Sequence, residues 1–231
     1  PKLEFNKPYS CISILHGHSS DMLSSIDLSK PSIIWLDYDN VLSIDIFTDL
    51  ELVLHAIPRG SIYIMSCNRQ LRKDDELRGL YGSLVPFDIP ENCCTDANSS
   101  YTIKKMIDNH CNKILKDRNK LGENLMYKSL YNIKYSEYRG ARMFTCGGIV
   151  LDKNDQDLNL NLEDLDYIST VHPYEIDIPN LTYREASHLN QILDVPDKEC
   201  DIVQKGIVSS EDVSKYKKIY RFIPNFYDVR I

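Results

Sequence analysis

Two short stretches of the chain are apolar at nearly every position: Ser32-Ile33-Ile34-Trp35-Leu36 and Ser61-Ile62-Tyr63-Ile64-Met65-Ser66. A run of that length with no polar alternation predicts a strand covered on both faces, as in the middle of a parallel sheet. Between them, Ile44, Phe47, Leu50, Val53, Leu54 and Ile57 fall near the i, i+3, i+4 spacing of an amphipathic helix, which Pro58-Arg59-Gly60 stops. Strand, helix and strand with short joints predict a βαβ unit, and such a unit crosses over right-handed into a parallel sheet. Upstream, residues 10–16 (Ser-Cys-Ile-Ser-Ile-Leu-His) read as a further strand, followed by the turn Gly17-His18-Ser19-Ser20 and a short helix over 21–26.

Downstream, 69–80 is charged and reads as helix or loop, and 86–100 is rich in Pro, Asn, Asp and Ser and reads as a surface loop. Ile103, Met106, Ile107, Cys111, Ile114 and Leu115 give a helix over 101–120 one apolar face. Tyr127, Tyr131, Tyr135 and Tyr138 recur every three or four residues, which predicts a second helix over 124–138. Residues 142–151 read as a strand interrupted by Gly147-Gly148, a pair that signals a bulge or a close backbone approach. Beyond 155 the pattern is less regular. An acidic, leucine-spaced stretch over 155–166 is followed by Thr182 with Glu185, a capping box opening a helix to Leu193. A last helix starts near Ser210 and is ended by Pro224. The expected architecture is α/β: a mostly parallel twisted sheet with helices on both sides over 1–154, and an α+β appendage over 155–231.

Composition narrows the classes. With 231 residues and 42% apolar side chains the chain can bury a sizeable core. A net charge of -7 argues against coating nucleic acid, which needs a basic surface. The basic positions Lys104, Lys105, Lys113, Lys116, Arg118 and Lys120 read as a solvated helix face. Seven scattered cysteines include no Cys-x-x-Cys pair, and adjacent Cys93 and Cys94 are poorly placed for a simple mutual disulfide, so reduced thiols in a cytoplasmic protein are expected. No apolar run approaches the ~20 residues of a membrane span. A homo-oligomer is compatible with the sequence.

In an open parallel sheet, ligands bind beyond the carboxyl ends of the strands. Three such ends carry polar residues: Gly17, His18, Ser19, Ser20 and Asp21; then Asp37, Tyr38, Asp39 and Asn40; then Cys67, Asn68 and Arg69. If these turns share one rim, they form one crevice. His16 and His18 are candidate bases by type, but no further His, Asp or Cys stands at a metal-ligand spacing from them. No metal site is assigned.

Leu36-Asp37-Tyr38-Asp39, the helix, and Arg59-Gly60-Ser61-Ile62-Tyr63-Ile64-Met65 with Cys67-Asn68 resemble the fourth and fifth strands of Rossmann-like S-adenosylmethionine-dependent methyltransferases. Gly17-His18-Ser19-Ser20-Asp21-Met22-Leu23 is similar to the loop that contacts the cofactor's adenine there. Glu4-Phe5-Asn6-Lys7-Pro8 and Tyr138-Arg139-Gly140-Ala141-Arg142 resemble a group of bacterial O-methyltransferases. The resemblance implies an S-adenosylmethionine cofactor held by Gly17, His18, Ser19, Ser20, Asp37 and Tyr38, with Asp37, Asp39 and Asn68 as catalytic residues and an unnamed methyl acceptor.

Two departures from that pattern matter. Nothing upstream of Cys11 supplies the Gly-rich turn and ribose-binding acid of such folds, so the chain is expected to be a fragment lacking the first βαβ segment. The alternative is a non-catalytic interaction module on a degenerate methyltransferase fold. In addition, Cys67 stands where metal-dependent relatives carry Asp, a poor ligand for a hard cation such as magnesium.

Overall fold

The computed structural model describes residues 2–136, 140–154, 168, 172–193 and 198–222. Two compact units divide the chain, Pro1–Tyr174 and Glu175–Ile231. The first unit opens with two short helices, α1 (Lys2–Phe5) and α2 (Ser19–Ser25). Strand β1 (Ile33–Val41), helix α3 (Ile44–Ala56) and strand β2 (Ile62–Asn68) follow, then helices α4 (Asp74–Tyr81) and α5 (Ser99–Lys120). Two long strands, β3 (Leu125–Ser136) and β4 (Arg142–Asp152), complete the unit's core. The sheet runs in the order β1-β2-β4-β3-β5, the last being the three residues Tyr174–Ile176.

The expected βαβ unit is present. Ile33 to Asp37 of β1 pair in parallel with Ile62 to Ser66 of β2. Strand β4 lies antiparallel to both β2 and β3. Strands β1, β2 and β3 therefore point the same way, and β4 is the reversed strand inserted between β2 and β3. The sheet is mixed at the level of its ladders, with one parallel pair among β1 to β4, and mostly parallel only in strand direction.

Three expectations need correction. Residues 10–16 are irregular rather than a strand: the run has no ladder partner among the described residues, and Ile12 and Leu15 remain exposed. Residues 125–136 are strand β3, not a helix. A spacing of four fits a helical turn, but four is also a multiple of the strand period of two, so the tyrosine pattern could not distinguish them. Tyr138 lies outside the described residues. Finally, the helices of the first unit pack on one face of the sheet rather than two, among the described residues. One core joins Ile34, Tyr63, Met65, Cys67, Phe144, Cys146 and Val150 to the buried faces of α3 and α5. On the other face Ile33 stays 74% exposed and Trp35 60% exposed. The Trp35 indole donates to Ser66 Oγ (3.0 Å), which shares a hydrogen bond with Thr145 Oγ1 (2.8 Å), so that face is stitched across three strands by polar contacts.

The glycine pair does what its position in a strand signals. A Cβ on Gly147 would collide with the backbone carbonyl of Tyr63, and one on Gly148 with the carbonyl of Lys128. Opposite them the β3 register shifts between Ser129 and Tyr131, a bulge at Leu130. The bulge also explains the tyrosines. Tyr127 pairs with Val150 and is buried against the helices, whereas Tyr131 pairs with Gly147, an odd number of residues away on β4, and so faces the other side.

The basic face expected on α5 is not wholly solvated: Lys104 and Arg118 are buried, and Arg118 fixes α5 to α3, its guanidinium donating from Nη1 to the carbonyls of Leu54 (2.5 Å) and Ile57 (2.8 Å). A cation there satisfies carbonyls that the end of α3 leaves open and meets the negative end of its dipole. Glu123 holds the same guanidinium through two oxygens, at 2.8 and 2.6 Å.

In the second unit the capping box forms as expected: Glu185 N–H donates to Thr182 Oγ1 (3.3 Å) and Thr182 N–H to Glu185 Oε2 (2.7 Å), opening α6 (Tyr183–Ile192). Helices α7 (Lys198–Gln204) and α8 (Ser210–Ile219) follow, with Leu189, Ile192, Ile202, Val208, Val213 and Tyr216 as a separate core. The acidic stretch 155–166 and Pro224 lie outside the described residues. No helix among the described residues is long and apolar enough to cross a membrane.

Gly147→Ala is expected to destabilise the chain by about 3 kcal/mol or more, because backbone must move to admit the methyl group. Gly79→Ala, in open space on α4, should instead stabilise it by about 0.5–1 kcal/mol. Urea unfolding of both variants checks the contrast; equal midpoints would contradict the close packing of β4 on β2.

Candidate functional site

The carboxyl ends of β1 and β2 lie side by side because the two strands are parallel neighbours. At this rim the ladder breaks. Asp37 pairs with Ser66, but the next partner of β2 is Val41, opposite Asn68. Four steps along β1 match two along β2, so two extra residues are looped out between Asp37 and Val41. Bulges of this kind re-aim side chains next to sites. Asp37, Asp39 and Asn40 are exposed there, and Tyr38 is half-buried.

Tyr38 turns inward because β-strand side chains alternate. Its hydroxyl donates to Asp49 Oδ2 (2.7 Å). Burial, and then this bond to a carboxylate, push the Tyr38 phenol far above its ordinary range, so it stays protonated as a donor. Ser19 Oγ donates to Asp49 Oδ2 (2.5 Å) and Ser20 Oγ to Asp49 Oδ1 (2.8 Å). Three hydroxyls from α2 and β1 thus converge on one carboxylate in the second turn of α3. Asp49 has no exposed surface and shares the buried face of α3 with Ile46, Leu50 and Val53. This arrangement places the 17–21 turn against the carboxyl end of β1 although no strand leads into it. His18 precedes the first residue of α2 and is exposed, as are His16 and Gly17.

At the end of β2, Cys67 faces the helices rather than the rim and is fully buried. Burial pushes its thiol up to about 12, so it is no thiolate nucleophile near neutral pH. Asn68 is half-buried, and its Oδ1 accepts from the Gln70 N–H (3.0 Å), a turn-closing bond. Arg69 is buried and donates to both the Asp96 carbonyl (2.7 Å) and Asp96 Oδ1 (2.6 Å). Arg142, at the start of β4, reaches the same carboxylate oxygen at 2.8 Å. Partial burial opposes ionisation of Asp96, but the two guanidiniums outweigh it and hold its carboxyl below the usual carboxylate range.

Sequence reasoning missed Asp49 and Asp96. The first had a signal: an acid on an otherwise apolar helical stripe, one turn from Ile46 and Val53, is a buried charge unless partnered. Asp96 had none, since it sits in a loop 27 residues from Arg69. A separate cavity of about 690 Å³ opens in the second unit on Thr182, Arg184, His188, Gln191, Ile202 and Ile207. It contains none of the rim residues.

Asp49→Ala leaves three hydroxyls without their acceptor. Hydrogen bonds to a charged group are worth about 1.5–3 kcal/mol each and are not additive here, so a loss of about 3–5 kcal/mol is expected. Asp49→Asn, which keeps a carbonyl oxygen, should cost about 1–3 kcal/mol. Urea unfolding with amide exchange over 19–25 measures both; unchanged protection of α2 in Asp49→Ala would show that the carboxylate does not hold that helix.

Comparison with known proteins agrees with the resemblance drawn from the two parallel strands. No curated protein matches the chain. The family profile described as "Putative O-methyltransferase" matches residues 1–231, and the chain belongs to that family of methyltransferases.

Proposed function

We propose that the chain provides the β1–β2 rim of an S-adenosylmethionine-dependent O-methyltransferase, acting on an acceptor hydroxyl. The single observation that carries this reading is the parallel β1–β2 pair, whose looped-out carboxyl end presents Asp37 and Asp39 to solvent beside Asn68. Ligands of open α/β sheets sit beyond such ends.

The residues present fit part of the cofactor's needs. Exposed carboxylates accept hydrogen bonds from the hydroxyl or ammonium groups of an adenosyl amino acid, and Asp37 and Asp39 are in that state. Ser19 and Ser20 already donate to Asp49, so toward an adenine the 17–20 turn offers its backbone and the His18 side chain. When bound, the cofactor supplies a methyl group on a sulfonium. The chain's own part is to orient the acceptor and take its proton: Asp37 or Asp39 accepts the proton from the attacking hydroxyl, and Asn68 contacts the acceptor. The half-buried Tyr38 and the Asp49 network below it keep the carboxylate-bearing loop in place.

The same Asp49 network favours a second reading. If the serines serve only to lock α2, the fold is a binding module that performs no methyl transfer.

Calorimetry with S-adenosylmethionine and S-adenosylhomocysteine separates the two, applied to this 231-residue chain and to the full gene product. The enzyme reading expects binding by the gene product, weakened tenfold or more by Asp37→Asn with Asp39→Asn. Absence of adenosyl binding in the gene product would leave the module reading.

A further inference from the structure

Beside the rim, a second group of side chains is unused by the reading above. Asp74, the first residue of α4, faces Cys93 and Cys94 in the loop before α5. Cys93 Sγ lies 3.3 Å from Asp74 Oδ1 and 3.9 Å from Cys94 Sγ. The ligand atoms of all three residues lie within 4.8 Å of one another. We infer that Asp74, Cys93 and Cys94 form a binding site for a thiophilic divalent cation of the zinc type.

The geometry is the first argument. A tetrahedral zinc ion with Zn–S near 2.3 Å and Zn–O near 2.0–2.2 Å separates two sulfurs by about 3.8 Å and a sulfur from an oxygen by about 3.5 Å. The observed 3.9 and 3.3 Å match two of its edges and the third pair lies within 4.8 Å, so coordination requires rotation of side chains and no rebuilding of the loop.

The surroundings are the second argument. The loop is held from three directions independent of any metal. The Cys94 N–H donates to Asp74 Oδ1 (2.7 Å), Arg69 and Arg142 grip Asp96 two residues on, and Thr102 of α5 donates to the Cys93 carbonyl (2.8 Å). Asn92, immediately before the pair, adopts φ 61°, a left-handed conformation that Asn tolerates better than most residues and that turns the chain into the cluster. Ligands on a preformed scaffold lose little entropy on binding.

Access is the third argument. Cys93 is only 6% exposed, Cys94 is half-buried and Asp74 is exposed, so the group is lined with sulfur inside and open to solvent at the carboxylate. Three protein ligands leave a fourth position for water. Two sulfurs and one oxygen select a borderline or soft ion over magnesium or calcium, which require oxygen shells. On coordination each thiol releases its proton to solvent, and the sulfur–metal bonds replace the present sulfur–carboxylate hydrogen bond.

The test uses the full chain with Cys11 and Cys200 replaced by serine, and no affinity tag containing histidine. Cobalt(II) is the spectroscopic probe and zinc chloride the calorimetric titrant. The expected result is one ion per chain, a sulfur-to-cobalt charge-transfer band in the near ultraviolet, and displacement of cobalt by zinc but not by magnesium. Cys93→Ser and Cys94→Ser should each roughly halve the band and weaken zinc binding by at least tenfold, and the double variant should abolish the band. Asp74→Asn should keep the band and weaken binding less. Binding that persists in Cys93→Ser/Cys94→Ser, or cobalt spectra with no thiolate band in a chain shown folded by circular dichroism, overturns the assignment. Neither outcome depends on adenosyl binding, so this inference and the proposed methyl transfer stand or fall separately.

Discussion

A buried carboxylate is tolerated only when its charge is met, and in this chain the meeting of one such charge organises the rim. Asp49 lies on a helix face otherwise given to Ile46, Leu50 and Val53, and its two oxygens are answered by Ser19, Ser20 and Tyr38. The donors come from two places: Ser19 and Ser20 from the first turn of α2, and Tyr38 from the inward face of β1. The interaction therefore fixes a segment that no described strand connects to the sheet. It also anchors Tyr38, which sits in the stretch of β1 that has left the ladder. Tyr38 is thereby fixed just beyond Asp37, the last residue of β1 paired to β2 before the loop-out.

A second carboxylate clamp lies on the other side of the rim, with guanidiniums in place of hydroxyls. There the acid, Asp96, is in the loop and the cations, Arg69 and Arg142, come from the ends of β2 and β4. Both devices use a short-range polar clamp to attach an irregular segment to the end of a strand. Arg118 does the same for the far end of α3, where it occupies two open carbonyls. The sheet face packed against α3 and α5 supplies the hydrophobic core, while these three clamps hold the segments at its ends.

How much of this was readable in the residues depends on the range of the interaction. β1, α3, β2 and α5 were legible because each carries its own periodicity, and the parallel pairing of β1 with β2 followed from the helix between them. The glycine pair in β4 was legible because only close backbone contact rewards two glycines in a strand. β3 was misread because tyrosines four apart satisfy both periods, and the bulge at Leu130 that separates Tyr127 from Tyr131 leaves no local mark. The 10–16 run was misread because alternation predicts a strand only if a partner exists. Of the site, Asp37, Asp39, Asn68, Ser19 and Ser20 were visible as strand-end and turn residues. Their acceptor, Asp49, was hidden inside a helix, and the Asp74–Cys93–Cys94 group joins residues about 20 apart in a region with no regular pattern.

The edge position of β1 has a consequence of its own. Among the described residues one side of this strand has no neighbour, and the face carrying Ile33 and Trp35 is uncovered. Such an edge is a template on which a second molecule can add its own strand. Asp37 and Asp39 stand on that strand, and an incoming identical edge would bring like charges close together. Charges on an edge strand oppose such pairing, and the exposed Asp37 and Asp39 put two like charges on this one.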